Sequence, residues 1–205
     1  LIARPEAPFR LEAELRARSY RVAPMAIGTN TDPYQPVERE FAITRRCLEV
    51  LSRFNHPVAV VTKGTLIERD LDILSDMAAR VLAKVGVSVT TLDDRLARLL
   101  EPRAPSPARR LAVIRRLSDA GVPVRVMVSP VVPGLSDHEI EAILGAAREA
   151  GAGAASWIML RLPREVSPLF QEWLAAQYPD WARKVMNRLR EMHGGAEYSA
   201  QWHRR

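Results

Sequence analysis

The residues best equipped for chemistry sit in one stretch, Gly28-Thr29-Asn30-Thr31-Asp32-Pro33-Tyr34-Gln35-Pro36-Val37-Glu38. Within six residues it offers two hydroxyls, an amide, a carboxylate and a phenol. Such groups bind polar ligands by hydrogen bonding. The stretch also reads as a plain turn, with Asn30 and Asp32 at turn or helix-entry positions. Comparable groups recur along the chain. Lys63 follows the apolar run Val58–Thr62. Ser88, Thr90, Thr91 and Asp93 belong to the next run and its exit, followed by Glu101 and Arg103. Ser129 precedes the loop Pro130–Gly134, and Arg161 follows the last apolar run. A lysine can bind a carboxylate, and hydroxyls can bind an amino group or ribose oxygens. Taken together the set suits a zwitterionic or nucleoside ligand. Taken singly, Lys63 also reads as a solvated loop lysine and Ser88 as a small residue in a crowded interior.

These groups need elements to position them. Short apolar runs predict strands at Val22–Thr29, Val58–Thr62, Val85–Thr91, Val122–Ser129 and Ala155–Leu160. The continuous apolarity of Val58–Thr62 suits a strand buried on both faces. Between the strands the spacing predicts helices over Val37–Phe54, Leu66–Leu82, Leu92–Leu100, Ala108–Ala120 and Ile140–Ala150, with Leu11–Arg18 before them. Apolar residues at helical spacing, such as Val37, Phe41, Leu48 and Leu51, carry this reading. Thr65…Glu68 and Ser136…Glu139 match capping boxes, and Ser106-Pro107 matches an N-cap followed by proline. Glu165–Met192 is predicted helical with a break near Pro179, and Gly194-Gly195 opens a loose tail bearing Tyr198 and Trp202. A β-α unit repeated at roughly 30-residue spacing argues for an α/β fold with a parallel sheet and right-handed crossovers. The strand-end loops then share one rim, where ligands bind in such folds. Five strands cannot close an eight-strand barrel, so the expectation is a TIM-like barrel that is either partial by design or missing strands. It comprises a lead-in segment 1–21, barrel residues 22–163, and C-terminal helices with a tail, 164–205.

Composition narrows the class. The chain has 205 residues, 47% of them apolar, and a net charge of +6. No apolar run is long enough to span a bilayer, so no membrane partner is expected. The single cysteine excludes an internal disulfide framework and makes the cytoplasm the default location. The first residue is Leu rather than Met, and the opening segment is charged rather than signal-like, so a piece of a longer protein is expected.

Read in order, these segments resemble the radical S-adenosylmethionine superfamily, in the branch similar to spore photoproduct lyase. The likeness rests on the Gly28–Glu38 loop, Val61-Thr62-Lys63, Val87-Ser88-Val89-Thr90-Thr91-Leu92-Asp93, Glu101–Pro107 with Arg109-Arg110-Leu111, and Val126–Asp137. It implies a partial (β/α)6 barrel with its first strand missing here. It also implies S-adenosylmethionine bound across the carboxyl ends of the strands, beside a [4Fe-4S] cluster. Carried over residue by residue, Thr31 or Asn30 contacts the methionine part, Lys63 its carboxylate, and Ser88 the same end. Glu101, Ser129 and Pro130 line the nucleoside. The family reaction reduces the sulfonium to methionine and a 5′-deoxyadenosyl radical, which takes a hydrogen from substrate. A reductant such as flavodoxin or ferredoxin is implied. Tyr34, Trp157 and Arg161 are candidate substrate contacts, the substrate itself being unknown.

The sequence departs from the family where the cluster should be. The three cysteines of C-x-x-x-C-x-x-C are absent; Cys47 falls mid-helix, and His56, His138, His193 and His203 show no metal spacing. The resemblance therefore implies the C-terminal part of a lyase-like radical enzyme. Its first strand and cluster cysteines are expected upstream of Leu1, leaving this chain alone without metal ligands and inactive. Two other readings stand beside it. Arg109, Arg110, Arg115 and Arg116, with Arg183, Lys184, Arg188 and Arg190, would suit a basic nucleic-acid-binding module, though acidic residues are interleaved and aromatics few. A non-catalytic barrel is a further alternative, and a sugar-phosphate-binding barrel enzyme would want a late glycine-rich loop, whereas Gly151-Ala152-Gly153 precedes the last strand.

Overall fold

The structure, a computed structural model, describes residues 3–198. Its five strands are β1 (Met25–Ile27), β2 (Val58–Thr62), β3 (Ala83–Ser88), β4 (Val124–Val131) and β5 (Ala154–Met159). They lie in chain order in one open, all-parallel sheet. This is the α/β partial barrel that the β-α repeat predicts. The helices are α1 (Ala7–Arg16), α2 (Glu38–Phe41), α3 (Ile43–Arg53), α4 (Leu71–Ala79), α5 (Asp94–Leu100), α6 (Pro107–Asp119), α7 (Ile140–Glu149), α8 (Val166–Gln177) and α9 (Pro179–Met192). No helix among the described residues is long and apolar enough to cross a membrane.

Register sorts the strand residues between two faces, because partners in a parallel pair point the same way. Val60, Val85 and Val124 align, as do Thr62, Val87 and Val126. That face packs against Leu48, Leu74, Ile114 and Ile143 of the surrounding helices to make the main core. Leu11 and Leu15 of α1 also pack on it. The other face is built of small and polar side chains. Val61, Gly86, Arg125 and Ala154 align on it, then Ser88, Met127 and Ser156. All of these but Ser88 line a concave trough of 660 Å³. A second apolar cluster joins Leu174, Val185 and Leu189 of α8 and α9 to Val132, Leu135 and Leu162.

Several predicted elements come out shorter or broken, for identifiable reasons. The first strand spans three residues rather than Val22–Thr29. Pro24 precedes it, and Gly28 ends it at φ +93°. The single helix expected over Val37–Phe54 is two, divided by Ala42 at φ +47°. The Glu38 carboxylate explains the break. It accepts the Thr44 and Arg45 N–H groups, at 3.0 and 3.4 Å, and so caps α3 from across the gap. The helix expected over Leu66–Leu82 begins as a 3-10 turn, Thr65–Asp70, and stops at Ala79.

Neither capping box forms. Glu68 reaches out to Arg116 and Arg109 of α6. The Ser136 hydroxyl accepts the Val132 N–H at 3.0 Å. Ser106 and Asp93 do cap α6 and α5. The tail is not loose through Tyr198: the Leu162 N–H donates to the Glu197 carbonyl, while Arg190 and Ser167 hold the Glu197 carboxylate. Trp202 and His203 lie outside the described residues.

Candidate functional site

The site is built from the loops at the carboxyl ends of the strands. Asp32 fixes the first of them. Its Oδ1 accepts the Tyr34 N–H at 2.9 Å and the Thr62 hydroxyl at 2.7 Å, and its Oδ2 accepts the Lys63 N–H at 2.7 Å. One carboxylate thus ties the β1 loop to the end of β2. Gly28 permits the approach: a Cβ there would lie 2.0 Å from the Val61 carbonyl oxygen. Only glycine satisfies both that contact and the positive φ.

Held in this way, Asn30 and Thr31 are exposed, and their side chains make no hydrogen bond among the described residues. The Ser88 and Ser129 hydroxyls are likewise unused, although Ser88 is only 5% exposed. Pro130 follows Ser129 within β4.

Lys63 has a protein partner on the rim. Its ammonium contacts Glu101, the residue that the resemblance placed at the other end of the ligand. The second Glu101 oxygen accepts Arg110 Nη2 at 2.6 Å and the Thr90 hydroxyl at 3.3 Å. Arg110, only 2% exposed, also donates to the Pro105 carbonyl at 2.8 Å and the Ser88 carbonyl at 3.2 Å. Burial alone would raise the Glu101 pKa. The Arg110 and Lys63 charges outweigh it and hold the carboxyl below its ordinary value. A second tie joins the next two loops: Glu139 accepts the Thr91 hydroxyl at 2.8 Å and the Leu92 N–H.

The candidate substrate residues do not converge. Tyr34 is buried in the main core and its hydroxyl donates to Asp70 at 3.0 Å. Burial, then the neighbouring Asp70 charge, pushes its phenol far above the ordinary value. Tyr34 thus commits its hydroxyl to the core, while it also borders a cavity lined by Asp32 and Lys63. Trp157 aligns with Val128, on the opposite face from Ser156, so its side chain points away from the trough. Arg161 is exposed just past β5.

The remaining candidates for metal or nucleic-acid chemistry are held within the fold. His56 is buried, accepting from the Tyr20 hydroxyl at 2.7 Å and facing the Pro57 carbonyl at 3.0 Å. His193 faces the Leu160 carbonyl. Burial raises the Cys47 thiol to about 11, and no group of three His, Cys, Asp or Glu is arranged for a metal among the described residues. These residues do not fit an iron–sulfur cluster. Of the basic helices, Arg109 and Arg116 pair with Glu68, Arg115 with the Glu149 carbonyl, Arg188 with Asp137, and Arg190 with Glu197. Lys184 lies over the Trp181 ring.

A parallel half-barrel with a polar rim at its carboxyl ends is a fold that many enzymes use, and comparison with known proteins identifies which. The Radical SAM superfamily model matches residues 3–147. An uncharacterized protein of Mycobacterium tuberculosis is 36% identical over 190 residues, 92% of this chain and 55% of that protein. One from Methanocaldococcus jannaschii is 25% identical over 159 residues, 77% of this chain and 58% of its own length. The chain thus spans little more than half of these relatives. Among solved structures, a mutant spore photoproduct lyase superposes with a TM-score of 0.61 at 14% identity, covering 84% of this chain and 50% of that one. SuiB of Streptococcus suis, bound to S-adenosylmethionine, superposes at 0.57 with 18% identity, covering 87% and 42%. The chain belongs to the radical S-adenosylmethionine superfamily.

Proposed function

We propose that this chain supplies the S-adenosylmethionine-binding rim of a radical S-adenosylmethionine enzyme. The observation that carries the reading is that Asn30, Thr31, Ser88 and Ser129, whose side chains are unspent, lie at the carboxyl ends of the strands, as does the Lys63 ammonium. Asn30 or Thr31 would hold the methionine part, Lys63 its carboxylate, and Ser88 the same end. Glu101, Ser129 and Pro130 would flank the nucleoside, and Arg161 is the remaining rim candidate for substrate. When bound, the cofactor supplies hydrogen-abstracting chemistry; the protein orients it and keeps water away. The cluster ligands must come from outside the described residues, since none of these fits the role.

The test is calorimetric titration of S-adenosylmethionine into the complete polypeptide that carries these residues. Saturable binding, weakened by Ser88→Ala and Asn30→Ala, is expected. Binding that both substitutions leave unchanged would place the ligand elsewhere.

A further inference from the structure

Arg110 has no role in the proposed ligand contacts, yet it is the largest fully buried side chain in the chain's described part. A guanidinium is costly to bury unless its donors are satisfied. Here three separate segments satisfy it: Glu101 at the end of α5, the Pro105 carbonyl before α6, and the Ser88 carbonyl at the end of β3. Two of those partners belong to the rim itself. Arg110 therefore fixes the backbone that presents Ser88 and the carboxylate that touches Lys63.

The charges explain why a buried cation is needed there. Lys63 and Glu101 alone form a neutral pair, and a ligand carboxylate arriving at Lys63 would meet Glu101 as a like charge. Arg110 contributes a further positive charge to Glu101 from inside, at 2.6 Å, so the trio carries a net charge of +1. Asp32 makes no ion pair with the ammonium: its oxygens accept from the Lys63 and Tyr34 N–H groups and the Thr62 hydroxyl. Lys63, 35% exposed, is thus kept at the surface with its charge available, while Arg110 neutralises Glu101 from behind.

We infer that Arg110 is a positioning residue for the anionic end of the ligand, compensating Glu101 so that Lys63 can exchange that partner for an incoming carboxylate. The inference rests on the reading of the rim as an S-adenosylmethionine site. It extends that reading to a residue that touches no ligand.

The experiment compares S-adenosylmethionine with adenosine, which lacks the carboxylate, by calorimetry on the complete polypeptide. Arg110→Met should weaken S-adenosylmethionine about tenfold or more and change adenosine less than about twofold. The double substitution Arg110→Met with Glu101→Gln restores the net charge of +1 and should recover most of the lost preference for S-adenosylmethionine over adenosine. A purely structural Arg110 would weaken both ligands alike, and the second substitution would add to the loss; either result overturns the inference.

Arg110→Lys, which keeps the charge, guards against a variant that fails to fold; it should retain more affinity than Arg110→Met. If the wild-type protein binds neither ligand, the S-adenosylmethionine reading fails, and the charge compensation is read directly from the carbon-13 titration of the Glu101 carboxyl. Its midpoint should rise in Arg110→Met; an unmoved midpoint would overturn the compensation as well.

Discussion

Two charge networks brace the loops of this half-barrel, and they differ in how they end. The first lies behind the β1 loop. Asp70, completely buried, accepts from Tyr34, Arg45 and Arg69, while Arg69 also binds the Glu38 carboxylate and carbonyl. Arg45 closes the outer side on Asp72 at 2.8 Å, which, ahead of the opposing effect of burial, lowers the Asp72 pKa. The second joins Arg110, Glu101 and Lys63. It too is anchored on a buried group, but its last member is an ammonium at the rim. A closed network with its polar atoms directed inward builds shape. One that ends in a partly exposed cation at the strand ends can accept a ligand. Charge content alone does not separate the two.

The largest expected effect tests the closed network. Asp70→Ala strips an acceptor from two guanidiniums and a buried phenol together. Losing the hydrogen bonds that three partners make to one fully buried carboxylate costs about 3–5 kcal/mol. A urea denaturation midpoint should fall accordingly. A loss below about 1 kcal/mol would show that the network adds little to stability.

Gly28→Ala should come next, because both networks depend on the same β1–β2 approach. The added Cβ meets the Val61 carbonyl oxygen at 2.0 Å and the φ is unfavourable, so β1 must separate from β2. A loss of about 3 kcal/mol is expected, with amide exchange accelerated at Val58–Thr62 rather than along α6. Uniform acceleration across the sheet would mean that the loop and sheet unfold as one unit.

Glu101→Gln tests the open network and carries a pH signature. The folded carboxyl titrates below its ordinary value of 4.5, because Arg110 and Lys63 outweigh the effect of burial. The folded state therefore favours the ionised form. The stabilisation is full above the unfolded value and is lost as pH falls through the folded one. At neutral pH the substitution should cost about 1–2 kcal/mol, and the gap to wild type should narrow in acid. A gap that stays constant from neutral pH to the acid end would mean that the charge on Glu101 does not contribute.

How far the sequence revealed this contrast depends on the range of the interactions. The strands were legible because runs such as Val58–Thr62 are apolar on consecutive residues, and the sheet order followed from the repeat. The breaks were not. Ala42 interrupts a good helical period because Glu38 satisfies N–H groups six and seven residues away, beyond any local cap pattern. The Thr65…Glu68 and Ser136…Glu139 boxes failed for the same reason: distant arginines and loop N–H groups, invisible at a spacing of three, take the glutamates. Lys63 and Ser88 were legible as polar types at strand ends, where the structure places them. Arg110 was not, because an arginine on a charged helix gives no sign of which neighbour faces inward. The only available signal was the apolar Leu111, Val113, Ile114 and Leu117 around it, which set the buried side of α6.

Lys63→Met is the smallest expected change in stability and the sharpest separation of the two networks. The ammonium is partly exposed, and such pairs contribute about 1 kcal/mol or less. Arg110 remains to hold Glu101, so the rim should keep its shape and the melting temperature should barely move. The ligand should not be indifferent: without the ammonium, the carboxylate of S-adenosylmethionine meets Glu101 with no cation at the surface between them. Affinity should drop by about tenfold or more in calorimetry, while adenosine is unaffected. A large fall in stability with unchanged affinity would reverse the assignment, making Lys63 a brace like Arg45 and leaving the unspent groups of Asn30, Thr31, Ser88 and Ser129 as the anchors on the rim.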